Sequence, residues 1–285
     1  MRKILITGSN GQLGRELVST LTPKHFDLIA LNRSQLDISD FQQVRTILSE
    51  YKPDLVLNCA AFTNLDQAEI KVNESYKVNS EGPNLLARAC EYTSSKLLHF
   101  STDAVFSSNQ FKFFGSKDPT NPVSQYGKSK AEGEKLLLEK YAKNVWIIRS
   151  SWLYGNYGGR FVHNILASIR KKLPIKVVDD QFGQPTNTRN FGLYIRNFIL
   201  NPPDFGIYHY ADFGYTSRYH FVKQILLDLG FEKYNIVATN TLIADNLALR
   251  PKYSLLSLEN DSISLGTKFL PWQESLNEFI RMQEN

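Results

Sequence analysis

The chain has 285 residues, 42% of them hydrophobic and 21% charged, with a net charge of +5 and a pI near 9.0. That is enough chain to bury one large core, or one and a half, and the composition excludes fibrous, disordered and disulfide-built classes. No apolar run is long enough to span a bilayer and no secretion signal opens the chain, so the expectation is a cytoplasmic protein without a membrane partner. Lys and Arg are scattered among Asp and Glu with no basic stripe, which argues against nucleic acid and for a small anionic ligand such as a nucleotide. The two cysteines, Cys59 and Cys90, read as buried free thiols without metal spacing.

In chain order, Lys3 to Thr7 reads as a buried strand and Leu13 to Leu21 as a helix closed by Pro23. Leu28 to Leu31 is a second strand. Asp40 starts a helix with Phe41, Val44, Ile47 and Leu48 at helical spacing. Asp54 to Asn58 is a third strand, Asn73 to Tyr92 one long helix, and Leu97 to Ser101 a fourth strand. A helix carrying Tyr126 and Lys130 runs to about Tyr141, and Val145 to Ile148 forms a fifth strand, read as the last of the sheet. Near-continuous apolar strands alternating with helices predict a doubly wound parallel sheet of Rossmann type, covered on both faces.

After Arg149 the rhythm breaks. Shorter elements alternate with Gly-, Pro- and Asn-bearing loops: helices over Phe161 to Lys171, Arg189 to Leu200 and Ser217 to Leu229, and an extended Ile175 to Val178. Leu276, Phe279 and Ile280 make one face of a final helix from Pro271 to Gln283. The expected organisation is a dinucleotide-binding part over 1–149 and a smaller α/β substrate-binding part over 150–285. The helix near 189–200 is expected to pack back on the first part.

Gly8, Gly11 and Gly14 lie between the first strand and the first helix. Glycines permit a tight turn and close backbone approach to a pyrophosphate, and a helix N-terminus presents free N–H groups to it. The plain alternative is a glycine-rich connection. The second strand ends in Asn32 and Arg33 rather than a carboxylate. A carboxylate there would repel a ribose 2′-phosphate, so the pair favours NADPH, with NADH tolerated.

Tyr126 and Lys130 stand one helical turn apart. A phenol with a pKa near ~10 is a poor proton donor-acceptor at neutral pH, and a nearby ammonium is expected to lower it. An isolated pair of this kind is more often a core tyrosine and a surface lysine. Here it follows a nucleotide turn. Thr102 ends the fourth strand, where ligand crevices of open sheets lie, and is placed to orient a substrate oxygen.

These features, with Asn58-Cys59-Ala60-Ala61-Phe62-Thr63, Ser101-Thr102-Asp103-Ala104-Val105-Phe106 and Tyr126-Gly127-Lys128-Ser129-Lys130, resemble the extended short-chain dehydrogenase/reductases, and among them the dTDP-4-dehydrorhamnose reductase family. The resemblance continues through Arg149 to Gly155, Val177 to Thr186, Gly206 to His209 and Arg250 to Leu255. It implies NAD(P)H-dependent reduction of the C4 ketone of dTDP-4-dehydro-L-rhamnose by a Thr102, Tyr126 and Lys130 triad, in a monomer or homodimer. It implies cofactor contacts from Gly8, Asn10, Gly11, Gln12, Leu13 and Gly14, from Asn32, Arg33, Asp37 and Ile38, from Ala60, Ala61, Thr63 and Asn79, and from Tyr126 and Lys130. It implies substrate contacts from Thr102, Asp103, Val105, Tyr126, Trp152, Gln181 and Arg250.

The family pattern is broken at Ala104, where a tyrosine is usual, at Ser107 and Ser108, at Phe113 to Ser116, and at Arg218, where a tryptophan is common. These sites lie toward the substrate, so another 4-keto-6-deoxy nucleotide sugar stays open, as does a non-catalytic cofactor-binding regulatory subunit. Some relatives hold a metal through glutamates. Glu16 fits that pattern but Arg189 replaces a second glutamate, so no metal is expected.

Overall fold

The structure, a computed structural model, describes residues 2–21, 25–158, 160–242, 247–258 and 269–283. Pro23 lies outside them. The centre is a six-stranded sheet of β1 (Arg2–Thr7), β2 (Phe26–Leu31), β3 (Leu55–Asn58), β4 (Lys96–Thr102), β6 (Val145–Ser150) and β11 (Gly206–Tyr210). Its order is β11-β6-β4-β3-β1-β2 and every pair is parallel. The chain switches direction between β1 and β3, which opens a crevice at their carboxyl ends.

The sheet does not end with the fifth strand, as the sequence suggested. Gly206–Tyr210 adds a sixth beside Val145–Ser150. The strand begins at a glycine and carries a histidine and two tyrosines, so it lacks the Val/Ile run that marks its neighbours.

Helices cover both faces. On one, α1 (Gln12–Thr20) and α8 (Thr188–Leu200) bury Leu13, Leu17, Phe191, Ile195 and Phe198 against Ile4, Ile6, Leu57 and Leu98. On the other lie α2 (Phe41–Tyr51), α5 (Gly82–Thr93) and α6 (Gln125–Tyr141), over Leu5, Val56, Leu97 and Ile147. Asp40 caps α2 by accepting from the N–H groups of Gln42 and Gln43, and Ser124 caps α6 by accepting from Gly127.

The expected long helix from Asn73 to Tyr92 is broken. Helices α3 (Leu65–Ile70) and α4 (Val72–Tyr76) precede a π-turn at Lys77–Glu81, and only then does α5 begin. Pro83 in the first turn of α5 has no N–H for the carbonyl of Asn79, so the regular ladder cannot continue there.

The remaining elements form a second cluster. Strands β7 (Leu153–Tyr154) and β10 (Thr186–Asn187) pair, as do β8 (Ile175–Val178) with β13 (Ile236–Thr239) and β9 (Phe182–Gly183) with β12 (Thr216–Ser217). Helices α7 (Arg160–Arg170), α9 (Arg218–Asp228) and α10 (Trp272–Gln283) pack around Tyr154, Val177, Phe221, Leu276 and Phe279. A fourth small core joins β5 (Phe113–Phe114) to β14 (Leu255–Leu256), where Phe106 stacks on Phe114. No helix among the described residues is long and apolar enough to cross a membrane.

Candidate active site

The glycine turn is shaped by close approach. Gly8 has φ of +61°, and a Cβ there would lie 2.7 Å from the Ala60 backbone. A Cβ on Gly14 would lie 2.4 Å from the Gly8 carbonyl oxygen. The turn is closed by the Gly11 N–H donating to that oxygen at 2.9 Å, and tied to β2 by the Ser9 N–H donating to Leu31. Gly11 caps α1 without any side-chain bond, and no acid occupies the first turn. Gln12 Nε2 is buried there without a hydrogen-bond partner. Bare N–H groups, an orphaned donor and a cradle only glycine fits suit a dinucleotide pyrophosphate.

Around this turn the expected cofactor residues divide. Asn10 is exposed, Ala60 and Ala61 are half-buried at the end of β3, and Thr63 is exposed. Asp37 accepts from Ser39 N–H and Oγ, and that bonding holds its carboxyl below the usual range, aided by Arg33 and Lys77. Arg33 is 71% exposed and lies 3.7 Å from Glu74. Leu13 and Ile38 turn their side chains into the core. Asn32 bonds within its own turn, to Ser34 and Gln35. Asn79 is buried in the π-turn, where it holds the Phe62 backbone by two bonds and Ser129 by a third. It braces the cleft wall rather than facing the cleft.

At the carboxyl end of β4, Thr102 Oγ1 accepts from the Ala104 N–H at 3.2 Å and donates to Asp103 Oδ1 at 3.2 Å. Asp103 also accepts from Ser254 Oγ at 2.6 Å. Burial raises the Asp103 carboxyl, while Ser254 and the charge of Arg218 draw it back. Tyr126, on the first turn of α6, is pushed up to about 12, mainly by burial and also by Asp103, with the Thr102 hydroxyl beside it acting the other way.

Lys130 is buried one helical turn further along α6. Its Nζ donates to the Phe100 carbonyl at 2.6 Å and lies 3.0 Å from His99 Nε2. Burial thus sets the net direction for Tyr126, upward rather than the expected lowering, and the lysine amine is turned onto β4. Burial lowers Lys130 to about 8, with Glu134 and Cys59 opposing. Beyond it His99 Nδ1 meets Asn58 Nδ2 at 3.0 Å, and Asn58 Oδ1 accepts from the Thr7 hydroxyl at 2.7 Å. Sequence reasoning missed this row. Its signal was a histidine and an asparagine within otherwise apolar strands.

Across the crevice, Trp152 sits at φ of +42° against Gly183, whose Cβ would lie 2.2 Å from the indole. The Arg218 guanidinium stacks 3.4 Å above that indole. Burial lowers Arg218 to about 9, although Asp103 supports its charge. Arg250 is paired with Asp66 at 3.0 Å and bonded to the Ala248 carbonyl. Gln181 donates to Thr241, and Val105 is wholly buried beside Phe106, Phe114 and Leu256. Glu16 is buried and accepts from Thr188, and no group of three metal-ligating side chains occurs among the described residues.

A doubly wound parallel sheet, a glycine turn at its switch point and a Thr–Tyr–Lys set over the adjoining strand ends define a Rossmann-type dinucleotide-binding protein of the short-chain dehydrogenase/reductase kind. Within that class, the chain belongs to the family described as the RmlD substrate binding domain, which matches residues 1–284. It is 36% identical to the spore coat polysaccharide biosynthesis protein SpsK of Bacillus subtilis, covering 99% of this chain and 98% of that one. It is 35% identical to a dTDP-4-dehydrorhamnose reductase of Aggregatibacter actinomycetemcomitans, covering 97% of each. The dTDP-4-dehydrorhamnose reductase of Bacillus anthracis, solved in complex with NADP, superposes with a TM-score of 0.94 at 31% identity over 99% of this chain and all of that one.

Proposed function

We propose that the protein reduces the C4 ketone of dTDP-4-dehydro-L-rhamnose to dTDP-L-rhamnose, with NADPH preferred and NADH tolerated. The observation that carries this reading is the meeting of the Thr102 hydroxyl and the protonated Tyr126 phenol at one strand end, in a chain similar along its whole length to reductases of that sugar. When bound at the glycine turn, the dinucleotide supplies the hydride. The chain supplies the rest. Gly8, Gly11 and Gly14 admit the pyrophosphate, with Asn10, Gln12 and Leu13 in the same turn, and Asn32, Arg33, Asp37 and Ile38 border the adenosine. Ala60, Ala61, Thr63 and the Asn79 brace form the cleft wall.

Thr102 orients the ketone oxygen, and Tyr126 gives it a proton as hydride reaches carbon. A phenol at about 12 stays protonated across the physiological range, as the acid of a reduction must. Lys130, one helical turn on, is the third member of the catalytic set. Trp152 packs on the sugar, with Asp103, Gln181 and Arg250 shaping the pocket around it. In this reading residues 1–149 serve the cofactor and 150–285 the substrate, in a monomer or homodimer acting in the cytoplasm.

The test is to supply dTDP-4-dehydro-L-rhamnose and follow NADPH absorbance, with product identity by NMR. The expected result is NADPH oxidation with formation of dTDP-L-rhamnose. No turnover with either cofactor across pH rejects the reading. Faster turnover of another 4-keto-6-deoxy sugar moves it to that substrate, the outcome that Arg218 on Trp152 would explain.

A further inference from the structure

We propose, resting on the nucleotide-sugar reading above, that Arg218 is a specificity-determining residue whose guanidinium grips the sugar-linked phosphate of the substrate. Its place is set by backbone. Strands β9 and β12 pair Gly183 with Thr216, and Ser217 then caps α9 by accepting from the His220 N–H. The Arg218 N–H donates to the Gln181 carbonyl at 3.1 Å, which fixes the first residue of that helix. Gly183 in turn lies so close to the Trp152 indole that a Cβ would come within 2.2 Å of it. The same two short strands therefore hold both the indole and the guanidinium. The Arg218 Cζ lies 3.4 Å from the indole centroid, a distance reached only over the face of the ring, and 4.7 Å from the centroid of Phe161.

Stacking engages the face of a guanidinium and leaves its N–H edge for hydrogen bonds. Among the described residues no acceptor takes a hydrogen bond from that edge. Asp103 supports the charge of Arg218, but its oxygens are already engaged. Oδ1 accepts from the Thr102 hydroxyl and Oδ2 from the Ser254 hydroxyl. Asp103 therefore balances the cation without occupying its donors. Arg250 opposes the charge of Arg218, so the two guanidiniums are within electrostatic reach of each other. Arg250, however, has Nη1 bound to the Ala248 carbonyl and Nη2 to Asp66. Of the two forks, that of Arg218 is the uncommitted one.

The chemistry of the missing acceptor follows from those neighbours. A sugar hydroxyl would satisfy the donors but leave two like charges opposed. A phosphate does both, since two of its oxygens match the planar fork and its charge lies between the cations. Asp103 follows Thr102 at the carboxyl end of β4, so the Arg218 fork belongs to the end of the crevice where the ketone is oriented. The phosphate that reaches that end is the one bonded to the sugar. A tryptophan at this position would bring a single N–H and no charge, so the substitution at residue 218 adds a contact rather than replacing one.

The test is titration calorimetry with dTDP and dTMP, which differ only in the second phosphate, on the protein with NADPH present. The wild type is expected to bind dTDP at least about tenfold more tightly than dTMP, and equal affinities overturn the proposal without any variant. Arg218→Trp introduces the residue common at this position in the family, so the fold should accept it. Its Kd for dTDP should rise about 30-fold while that for dTMP stays within about twofold. Arg218→Lys keeps the charge without the fork and should fall between the two. A merely structural role for Arg218 would weaken both nucleotides alike, and that result, or an unchanged Kd for dTDP, overturns the proposal. Selective loss of dTDP in a protein that does not reduce dTDP-4-dehydro-L-rhamnose leaves this assignment standing and rejects the reductase reading. A wild type that binds neither nucleotide rejects both.

Discussion

The two sides of the crevice are built differently. At the glycine turn positions are set by backbone: Gly8, Gly11 and Gly14 lie within one strand-to-helix connection, and their spacing follows from what a Cβ would strike. On the substrate side positions are set by side chains from distant segments. Asp103 is bonded to Ser254, Arg250 to Asp66, Thr241 to Asp180, and Arg218 lies on Trp152. The first side should fail all at once when one atom is added. The second should weaken contact by contact, with the acid–base pair between them sensitive to single functional groups.

The sharpest test lies between the two sides. Tyr126→Phe removes the proposed proton donor and keeps the ring, so kcat should fall by about 10³ or more while NADPH binding, followed by fluorescence, stays near wild type. Full activity in that variant would remove Tyr126 from the mechanism. Gly14→Ala places its methyl group against the Gly8 carbonyl oxygen, so NADPH affinity should fall about 100-fold by titration calorimetry, with a lower Tm. Unchanged affinity would mean that the turn is not set by close approach. Arg250→Ala should raise the KM for the nucleotide sugar by about tenfold and leave the Kd for NADPH alone. An equal loss of both would break the division into two sides. Arg33→Ala should reduce the NADPH-over-NADH preference only a few-fold, on the order of 1 kcal/mol, because the side chain is largely in water. A preference that does not change would leave Asn32 and the backbone to discriminate.

The same contrast explains what was legible in the sequence. The first five strands, the glycine turn and the Tyr126–Lys130 spacing are local patterns of period and turn chemistry, and each stands where it was expected. Gly206–Tyr210 was not read as a strand of the sheet, because its place is set by pairing with Val145–Ser150 rather than by its own pattern. The break at Lys77–Glu81 depended on one proline acting four residues back. The partners of Lys130 were illegible for a similar reason. The spacing put it near Tyr126, but its partners His99 and Phe100 come from a strand some thirty residues earlier, as the separations of 31 and 30 residues record. Val105 and Gln181 were legible as parts of motifs but not as side chains already engaged elsewhere.

The sixth strand also bears on how such chains can be recombined. After leaving the sheet at Ser150 the chain builds β7 to β10, returns as α8 and β11 to complete the sheet, and departs again. A hybrid that joins the front of this protein to the back of a relative at residue 150 would thus import the relative's α8 and edge strand, with a foreign surface against α1 and β6. Exchange of substrate preference between relatives calls for two further splices, before Thr188 and after Tyr210, so that the returning segment stays with the sheet it completes.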